Sequence, residues 1–339
     1  MRAQAPATGL AALVCALALC VSCSSSSGGG TAGQAKDAGD GGSTSKTTRK
    51  DAGTDSRVRT GVDAGTDAGV DAADEADAAA PCTQCTGTAP SGMLCVISTD
   101  VQLVDTTGAG VAGQDLTVCG LNLCGMPVTS DAQGKAHFNL CEYMKSPALK
   151  YLGHTSYVSF AALVTQSTET FPPITLFPLP SQGMSFPSGP GSVTSGSVTL
   201  ALAAGADGGS SVSFDTTQPN DPNSLEFRAA AVDPTKAPPG LDASLGIKAL
   251  WGLAPANATL SPAATLTIPN PDPTDWPAGT RVDFVMNSMD ENPKPAVPYG
   301  TWGPVGTGTV SQDGTTITTD SDAGDGLPLT GIVGVGPHG

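Results

Sequence analysis

Short runs of alternating apolar and polar residues dominate the chain after residue 82, and turn residues separate these runs. The clearest run covers residues 135–140, where Ala136, Phe138 and Leu140 alternate with polar neighbours, and this alternation predicts that His137 points outward. The stretch VQLVDTTGAGVAGQDLTVCG places two more runs around a Gly-Ala-Gly turn. A period of two residues is typical of β-strands that bury one face, and this pattern predicts strands rather than helices.

The segment 186–339 continues the pattern with further strand-length segments, between which lie turn clusters such as QPNDPN and SQDGTT. The segments are SVTLALAAG, SVSFDTT, SLEFRAAAVD, IKALWGLAP, ATLTIPNP, RVDFVMNSMD, GTWGPVGTGTVS, TTITTD and TGIVGVG. Strands at this spacing favour an antiparallel sandwich, and no stretch sustains the 3.6-residue period of a helix. We therefore predict an all-β fold with two antiparallel β-sandwich domains, over residues 82–182 and 183–339, after a signal peptide and a disordered acidic linker.

Residues 1–22 have the layout of a secretory signal peptide. Arg2 supplies a short basic start, and an apolar run follows over residues 9–21. This run is too short for a stable membrane span, which typically needs about 20 apolar residues. The pattern predicts that the segment directs export and is then removed.

The residues that end this segment, Ser22 and Cys23, resemble the lipobox of bacterial lipoproteins. The sequence departs from that family at Cys20, which stands where leucine is usual. The resemblance implies that Cys23 is lipidated and becomes the mature N-terminus. Ser24, in place of an aspartate, implies the outer membrane by the enterobacterial sorting rule. Plain secretion without a lipid is the alternative.

Residues 23–81 have the composition of a linker. They are rich in Asp, Ala, Gly and Ser, in runs such as VDAGTDAGVDAADEADAAA, and contain almost no large apolar side chain. Such a segment cannot bury enough apolar surface to offset the entropy of ordering the chain, which predicts disorder. Its aspartates do not form the D-x-D-x-D-G run of an EF-type calcium loop. Tethers of this kind resemble those of myxobacterial lipoproteins.

Composition narrows the classes of partner. The 339 residues carry a formal net charge of −16, which disfavours nucleic acid or an anionic membrane surface. Aromatic residues make up 4% of the chain, a low share for a groove that binds ligands by stacking. Nucleic acid is therefore absent from the predicted partners.

Six cysteines remain after the signal peptide and Cys23 are set aside, and all lie within 60 residues of sequence. An even number in an exported domain predicts up to three disulfides, whose pairing the sequence leaves open. The spacing of Cys82 and Cys85 also suits half of a zinc site or a redox pair, but a second such pair and a βαβ context are missing. The disulfide candidates are Cys82, Cys85, Cys95, Cys119, Cys124 and Cys141.

Two turn motifs lie between the first strand-like runs. Gly110-Val-Ala-Gly forms the first motif, and Thr129, Ser130, Asp131 and Gly134 form the second. This succession resembles the carboxypeptidase regulatory-like, transthyretin-type β-sandwich, in which a G-x-x-V/A-x-G turn and a T-D-x-x-G turn separate the strands. The extra Ser130 departs from the family pattern. The resemblance covers about 95 residues and implies a folding, spacing or binding module without catalysis.

A second resemblance lies in the C-terminal half. SPAATLTI at residues 261–268, Gly-Thr-Trp at 300–302 and VSQDG at 310–314 succeed one another between strand-like runs. The pattern is similar to the ZU-type β-sandwich of ankyrins and netrin receptors. The resemblance implies protein–protein contact or mechanical linkage.

Other candidate residues favour structural interpretations. The histidines, His137, His154 and His338, lack ligand spacing, and no G-x-S-x-G elbow indicates a serine hydrolase. The acidic residues near the C-terminus suit a solvated turn better than a calcium site; they are Asp313, Asp320, Asp322 and Asp325. The tryptophans favour core packing over a sugar-binding face; they are Trp251, Trp276 and Trp302.

Two short motifs are interpreted as coincidences. LPLTG at residues 327–331 lacks the apolar span and basic tail of a sortase signal. Asn257 begins a glycosylation sequon, but the lipobox indicates a bacterium, in which that modification is uncommon.

These patterns together predict a non-catalytic cell-surface lipoprotein, exported and lipid-anchored. Its β-sandwich modules would serve a structural role or bind a protein or polysaccharide of the cell envelope. No catalytic, cofactor-binding or metal-binding residue is predicted. An extracytoplasmic hydrolase or metal-dependent enzyme with a site at the domain junction is one alternative. A component of a larger envelope assembly is another.

Overall fold

Two sheets of four strands and one of eleven strands make up the fold in a computed structural model. The structure describes residues 85, 87–205, 208–214, 225–292, 295–320 and 326–339. The predicted signal peptide and linker lie outside these residues. The all-β prediction is confirmed, because helical structure in the described residues is confined to 3-10 turns such as Pro234–Lys236 and Ala243–Leu245. In the described part of the chain we find no helix with the length and apolar character that a membrane crossing requires.

The first part of the described chain folds into two small sheets. One sheet has the order β4-β1-β7, with β8 also paired to β1, and the other has the order β3-β2-β5-β6. The pairs are antiparallel except that β7 and β8 run parallel to β1, which the sequence did not predict. The strands are β1 Met93–Val104, β2 Asp115–Cys119, β3 Val128–Thr129, β4 Lys135–Lys145, β5 Ala148–Tyr151, β6 Phe160–Leu163, β7 Thr168–Thr170 and β8 Ile174–Thr175.

The apolar faces of these two sheets share one hydrophobic core. Leu103 on β1, Phe138 on β4 and Phe160 on β6 are at most 1% exposed and belong to the same cluster. Ala136 is also buried. His137, which lies between Ala136 and Phe138, is exposed, as the alternation predicted. Leu140 is only partly buried and packs at the margin of the cluster.

The two turn motifs contact each other. The Ser130 hydroxyl donates to the Val111 carbonyl at 2.8 Å and accepts from the Gln114 backbone N–H at 3.0 Å. Gly134 has a φ of 77°, and a Cβ there would meet the backbone of Leu103 and Val111. Ser130, the departure from the family pattern, therefore joins the two turns, and Gly134 permits the tight turn that leads into β4.

The remaining strands form the large sheet. Its order is β12-β13-β19-β15-β16-β17-β14-β10-β9, and β11 and β18 also pair with β14. Each of the predicted C-terminal segments contains a strand, whereas β9 and β18 were not predicted. The strands are β9 Gly191–Ser195, β10 Val198–Leu202, β11 Ser211–Ser213, β12 Arg228–Val232, β13 Ala249–Ala254, β14 Thr259–Pro269, β15 Arg281–Asn287, β16 Trp302–Val310, β17 Thr316–Thr319, β18 Leu327–Leu329 and β19 Ile332–Pro337.

The large sheet curls until its two terminal strands meet. The Ser195 hydroxyl on β9 accepts the backbone N–H of Ala229 on β12 at 2.9 Å, and both groups are buried. Leu200, Leu266 and Phe284, none of them exposed, fill the space inside. Closure in this way reduces the open edge that a long sheet would otherwise present.

The two parts of the described chain also share apolar contacts. Val232, Leu250, Ala254 and Ile332 belong to the same hydrophobic cluster as the core of the two small sheets. All of the described residues fall within one compact unit. The boundary between residues 182 and 183 stays a prediction.

Candidate functional site

The solvent-facing side of the sheet formed by β4, β1 and β7 carries a row of polar side chains. Asp100 on β1 lies opposite His137 on β4 and Thr170 on β7. Two residues further along β1, Gln102 lies opposite Lys135. Because alternate residues of a strand project from the same face, these five side chains share one surface of the sheet.

This surface contains a partly open cleft with a volume of about 600 Å³. Val101, Ala136 and Phe171 also border it, but they are buried and belong to the hydrophobic core beneath the sheet. A concave site in which a few polar groups converge is a usual place for a protein to bind a ligand. The lining residues are Asp100, Val101, Gln102, Asp131, Lys135, Ala136, His137, Thr170, Phe171 and Pro173.

An imidazole–carboxylate pair occupies the centre of the cleft's polar row. His137 Nδ1 and Asp100 Oδ1 lie 2.8 Å apart, and the two side chains are 60% and 44% exposed. The hydrogen bond fixes the orientation of the imidazole ring. No described residue bonds to Nε2 of His137, so this atom is available to a ligand.

The turn before β4 is held by hydrogen bonds to Asp131 and from Gln102, two further polar residues of the cleft. Asp131 Oδ1 accepts the backbone N–H groups of Gln133 and Lys135, each at 2.8 Å. Gln102 Nε2 donates to the Gln133 carbonyl at 3.1 Å. The Asp131 carboxylate is thus used within the turn, while the Lys135 ammonium forms no ion pair with any described residue.

The cleft has a base-like pair but lacks a nucleophile bonded to it. Thr170 is the hydroxyl-bearing residue among those that line the cleft, and its side chain forms no hydrogen bond with His137 in the described structure. A hydrolytic triad requires the nucleophile and the base within hydrogen-bonding reach. Among the described residues that line the cleft, no nucleophile lies within hydrogen-bonding reach of His137.

The cysteines predicted to form disulfides do so where the structure describes them. Cys85 bonds to Cys95, and Cys119 bonds to Cys124. Cys141 is also disulfide-bonded. Because Cys85 pairs with Cys95, it is not available for a zinc site of the Cys-x-x-Cys kind. Cys82 and the proposed lipidation site Cys23 lie outside the described residues.

One group of metal-ligand atoms lies where the two parts of the chain meet. The sulfurs of Cys119 and Cys124 and a carboxylate oxygen of Glu291 lie within 4.8 Å of one another. Lys150, whose side chain is 5% exposed, pairs with Glu291 at 2.7 Å. In the disulfide form the sulfurs are not thiolate ligands, so the site as described does not suit a metal.

The aspartates considered for calcium are bonded to protein groups. Asp320 accepts Thr307 Oγ1 at 2.6 Å and Arg281 Nη2 at 2.9 Å through the same oxygen. The Thr307 hydroxyl is the main cause of the lowered pKa of Asp320, and the Thr309 hydroxyl adds to it. Asp313 accepts the Ser311 hydroxyl at 2.6 Å. Asp322 and Asp325 lie outside the described residues, and the bonds of Asp320 and Asp313 favour acidic turns.

The other histidines do not join the cleft. His338 Nδ1 lies 2.6 Å from Asp283 Oδ1, at the C-terminal end of the chain. His154 follows β5 in a left-handed backbone conformation with a φ of 48°. The structure therefore brings His137 together with Asp100 and leaves the other two histidines elsewhere.

The tryptophans and the two short motifs have structural positions. Trp251 and Trp276 are buried in the core of the large sheet, and Trp302 packs against the core of the small sheets. Leu327 and Leu329 of the LPLTG motif are buried as well, within β18. Asn257 of the sequon has a φ of 59° and its backbone N–H donates to the Thr330 carbonyl.

Sequence reasoning missed most residues of the cleft. It placed His137 on the outer face but did not single out Asp100, Gln102, Lys135 or Thr170. Alternation over residues 135–140 indicated that Lys135 and His137 share a face. Asp100 lies 37 residues from His137 in sequence. Only the register of β1 against β4 brings the two side chains together.

Comparison with known proteins finds no matching family and three solved structures with low identity and low TM-scores. No family model matches the chain, and no curated protein matches it. A "putative carbohydrate binding protein" from Bacteroides uniformis is 9% identical, with a TM-score of 0.20, over 71% of this chain and 95% of that one. The major pilin subunit of Bacillus cereus is 10% identical, with a TM-score of 0.21, over 68% and 85%. A DUF3823 family protein from Bacteroides ovatus is 8% identical, with a TM-score of 0.18, over 71% and 96%. Scores of this size carry no argument about function.

Proposed function

We propose that the protein is a non-catalytic, exported lipoprotein that binds a polysaccharide of the cell envelope. The observation that carries the proposal is the cleft on β4, β1 and β7, where polar side chains from the three strands surround a space of about 600 Å³, with the exposed Pro173 at its side. A saccharide presents hydroxyl groups around an apolar ring face. A site with both kinds of surface suits such a ligand better than a purely apolar one.

The polar groups of the cleft match the hydrogen bonds of a sugar. His137 Nε2, the Lys135 ammonium and the Thr170 hydroxyl are directed to the same surface from neighbouring strands. Pro173, which is exposed, lines the cleft beside them and supplies apolar contact. The hydrogen bond to Asp100 orients the imidazole before a ligand binds, which lowers the cost of ordering that side chain.

Export and anchoring rest on separate observations. Disulfides persist in oxidising compartments, and Cys85–Cys95 and Cys119–Cys124 support export. The proposed anchor is a lipid on Cys23, with residues 23–81 as the tether. A Cys23→Ser chain should appear in the soluble fraction and lose palmitate labelling. Retained labelling would refute the lipobox interpretation.

Binding is tested with the mature chain carrying Cys23→Ser, titrated calorimetrically with a panel of envelope polysaccharides and their oligosaccharides. Thr170→Trp should fill the cleft and lower the affinity at least tenfold. Thr168→Trp is the matched control, because Thr168 is an exposed residue of the same strand that does not line the cleft. Absence of binding to every saccharide, or an equal loss in both variants, would overturn the proposal.

A further inference from the structure

We infer that Cys119, Cys124 and Glu291 form a redox-gated zinc site: a dithiol reductant opens the disulfide, and the two thiolates then bind Zn²⁺ together with the carboxylate. The three ligand atoms already lie within 4.8 Å of one another. Cysteine thiolates and a carboxylate are common zinc ligands, with water in a fourth position. This site is separate from the polysaccharide cleft and does not depend on the proposed function.

The hairpin that carries the two cysteines keeps its geometry without the disulfide. Cys119 and Cys124 face each other across an antiparallel bridge. Backbone hydrogen bonds from Gly120 to Leu123, at 2.7 Å, and from Gly125 to Val118, at 2.8 Å, close the same hairpin. Directly opposed residues keep their Cβ atoms about 4.5–5.5 Å apart. The thiols therefore stay close enough for both to bind one ion.

The third ligand is held by its own partner. Lys150 Nζ donates to Glu291 Oε1 at 2.7 Å, and the Lys150 side chain is buried on β5, which pairs with β2. A ligating carboxylate is usually oriented by a second hydrogen bond of this kind. The contact leaves Oε2 of Glu291 for the metal.

A buried polar atom lies in the same region. Tyr299 is 2% exposed and packs in one cluster with Cys119 and Met289, and its hydroxyl forms no hydrogen bond with a described residue. This hydroxyl would be a hydrogen-bond donor for a water in the fourth position of the bound ion.

The switch consists of a thiol–disulfide exchange followed by zinc binding. A dithiol attacks one sulfur of the Cys119–Cys124 disulfide, forms a mixed disulfide and leaves as its own disulfide, so the protein gains two electrons and two protons. Zinc binding then displaces the thiol protons. Cys124 is exposed and supplies the accessible sulfur for this exchange. The buried Cys119 is the second thiolate.

The test uses the mature chain with Cys23→Ser, reduced by a phosphine or kept oxidised, and titrated with Zn²⁺ and Co²⁺. The reduced chain should bind one ion more than the oxidised chain in native mass spectrometry. Cobalt should give a thiolate-to-metal charge-transfer band. Near-ultraviolet circular dichroism verifies that the reduced chain is still folded.

Variants distinguish zinc bound at this site from zinc bound by other cysteines. Glu291→Gln, which keeps both cysteines, should weaken zinc binding by about tenfold or more. The matched control Glu142→Gln should not. A chain with Cys85→Ser and Cys95→Ser should keep the site, and one with Cys119→Ser and Cys124→Ser should lose it. No added ion on reduction, or zinc binding that survives loss of Cys119 and Cys124, would overturn the inference.

Discussion

The side-chain amide of Asn287 binds both backbone groups of Ala161, although 126 residues separate them in sequence. Asn287 Oδ1 accepts the Ala161 N–H, and its Nδ2 donates to the Ala161 carbonyl, each at 2.9 Å. Ala161 lies on β6, an end strand of its sheet, so its outward backbone groups need partners. The amide supplies both and joins β6 to β15 of the large sheet.

We expect Asn287→Ala to lower the free energy of unfolding by about 2–4 kcal/mol, because it leaves two buried backbone groups without partners. Urea unfolding followed by fluorescence measures the change. Asn139→Ala is the control, since Asn139 is exposed on β4, and it should change stability by less than about 0.5 kcal/mol. A loss below about 1 kcal/mol for Asn287→Ala would show that water replaces the amide.

The disulfide between Cys85 and Cys95 should stabilise the fold mainly by restricting the unfolded chain. The two cysteines are 10 residues apart, which corresponds to roughly 3 kcal/mol in the loop-entropy treatment. Replacing both by serine should lower the unfolding free energy by about that amount. Thiol titration of the denatured, unreduced mature chain with Cys23→Ser should find essentially no free thiol. Three or more free thiols would contradict the disulfide assignment.

Asp313 should make stability depend on pH in strongly acidic solution. The Ser311 hydroxyl, followed by the backbone and hydroxyl of Thr315, lowers the pKa of Asp313 to about 2 from 3.8. Because the folded pKa lies below the unfolded one, the carboxylate contributes stability above about pH 4 and loses it as the pH falls through about 2. Asp313→Asn should therefore be less stable than the parent near neutral pH and should match it near pH 2. Thermal unfolding across this range measures the difference; a gap of constant size would contradict the prediction.

His137 should contribute directly to saccharide binding. His137→Ala removes the imidazole that lines the cleft, and the loss of one hydrogen bond should weaken affinity by about tenfold. His338→Ala is a close control, because His338 forms a similar pair with Asp283 but lies outside the cleft. Calorimetric titration compares the two variants with the parent. Equal affinities for all three proteins would show that His137 does not contribute to saccharide binding.

Local patterns predicted the elements of this fold well and their partners poorly. Alternation identified the segment around Ala136 and Phe138, and every C-terminal segment named from the sequence contains a strand. The short strand β18 was missed because a proline interrupts its apolar residues. The parallel pairing of β7 and β8 with β1 was missed because nothing within a strand specifies its neighbour.

The number and clustering of the cysteines were enough to predict that they form disulfides. The pairings Cys85–Cys95 and Cys119–Cys124 could not, because fifteen connectivities of six cysteines are equally compatible with the spacing. The sequence also did not reveal that Glu291 lies beside the second disulfide, because these residues are far apart along the chain.

The amino-acid sequence by itself determined that the described chain is built from strands, which side chains alternate into the core along them, and that the cysteines between residues 85 and 141 form disulfides. These properties depend on residues close to one another, such as the outward position of His137 between Ala136 and Phe138. The tertiary structure alone decided that Asp100 meets His137 and that Asn287 binds Ala161. Such pairs depend on strand register and sheet order, which are set by how the whole chain packs its apolar faces, so no local pattern encodes them.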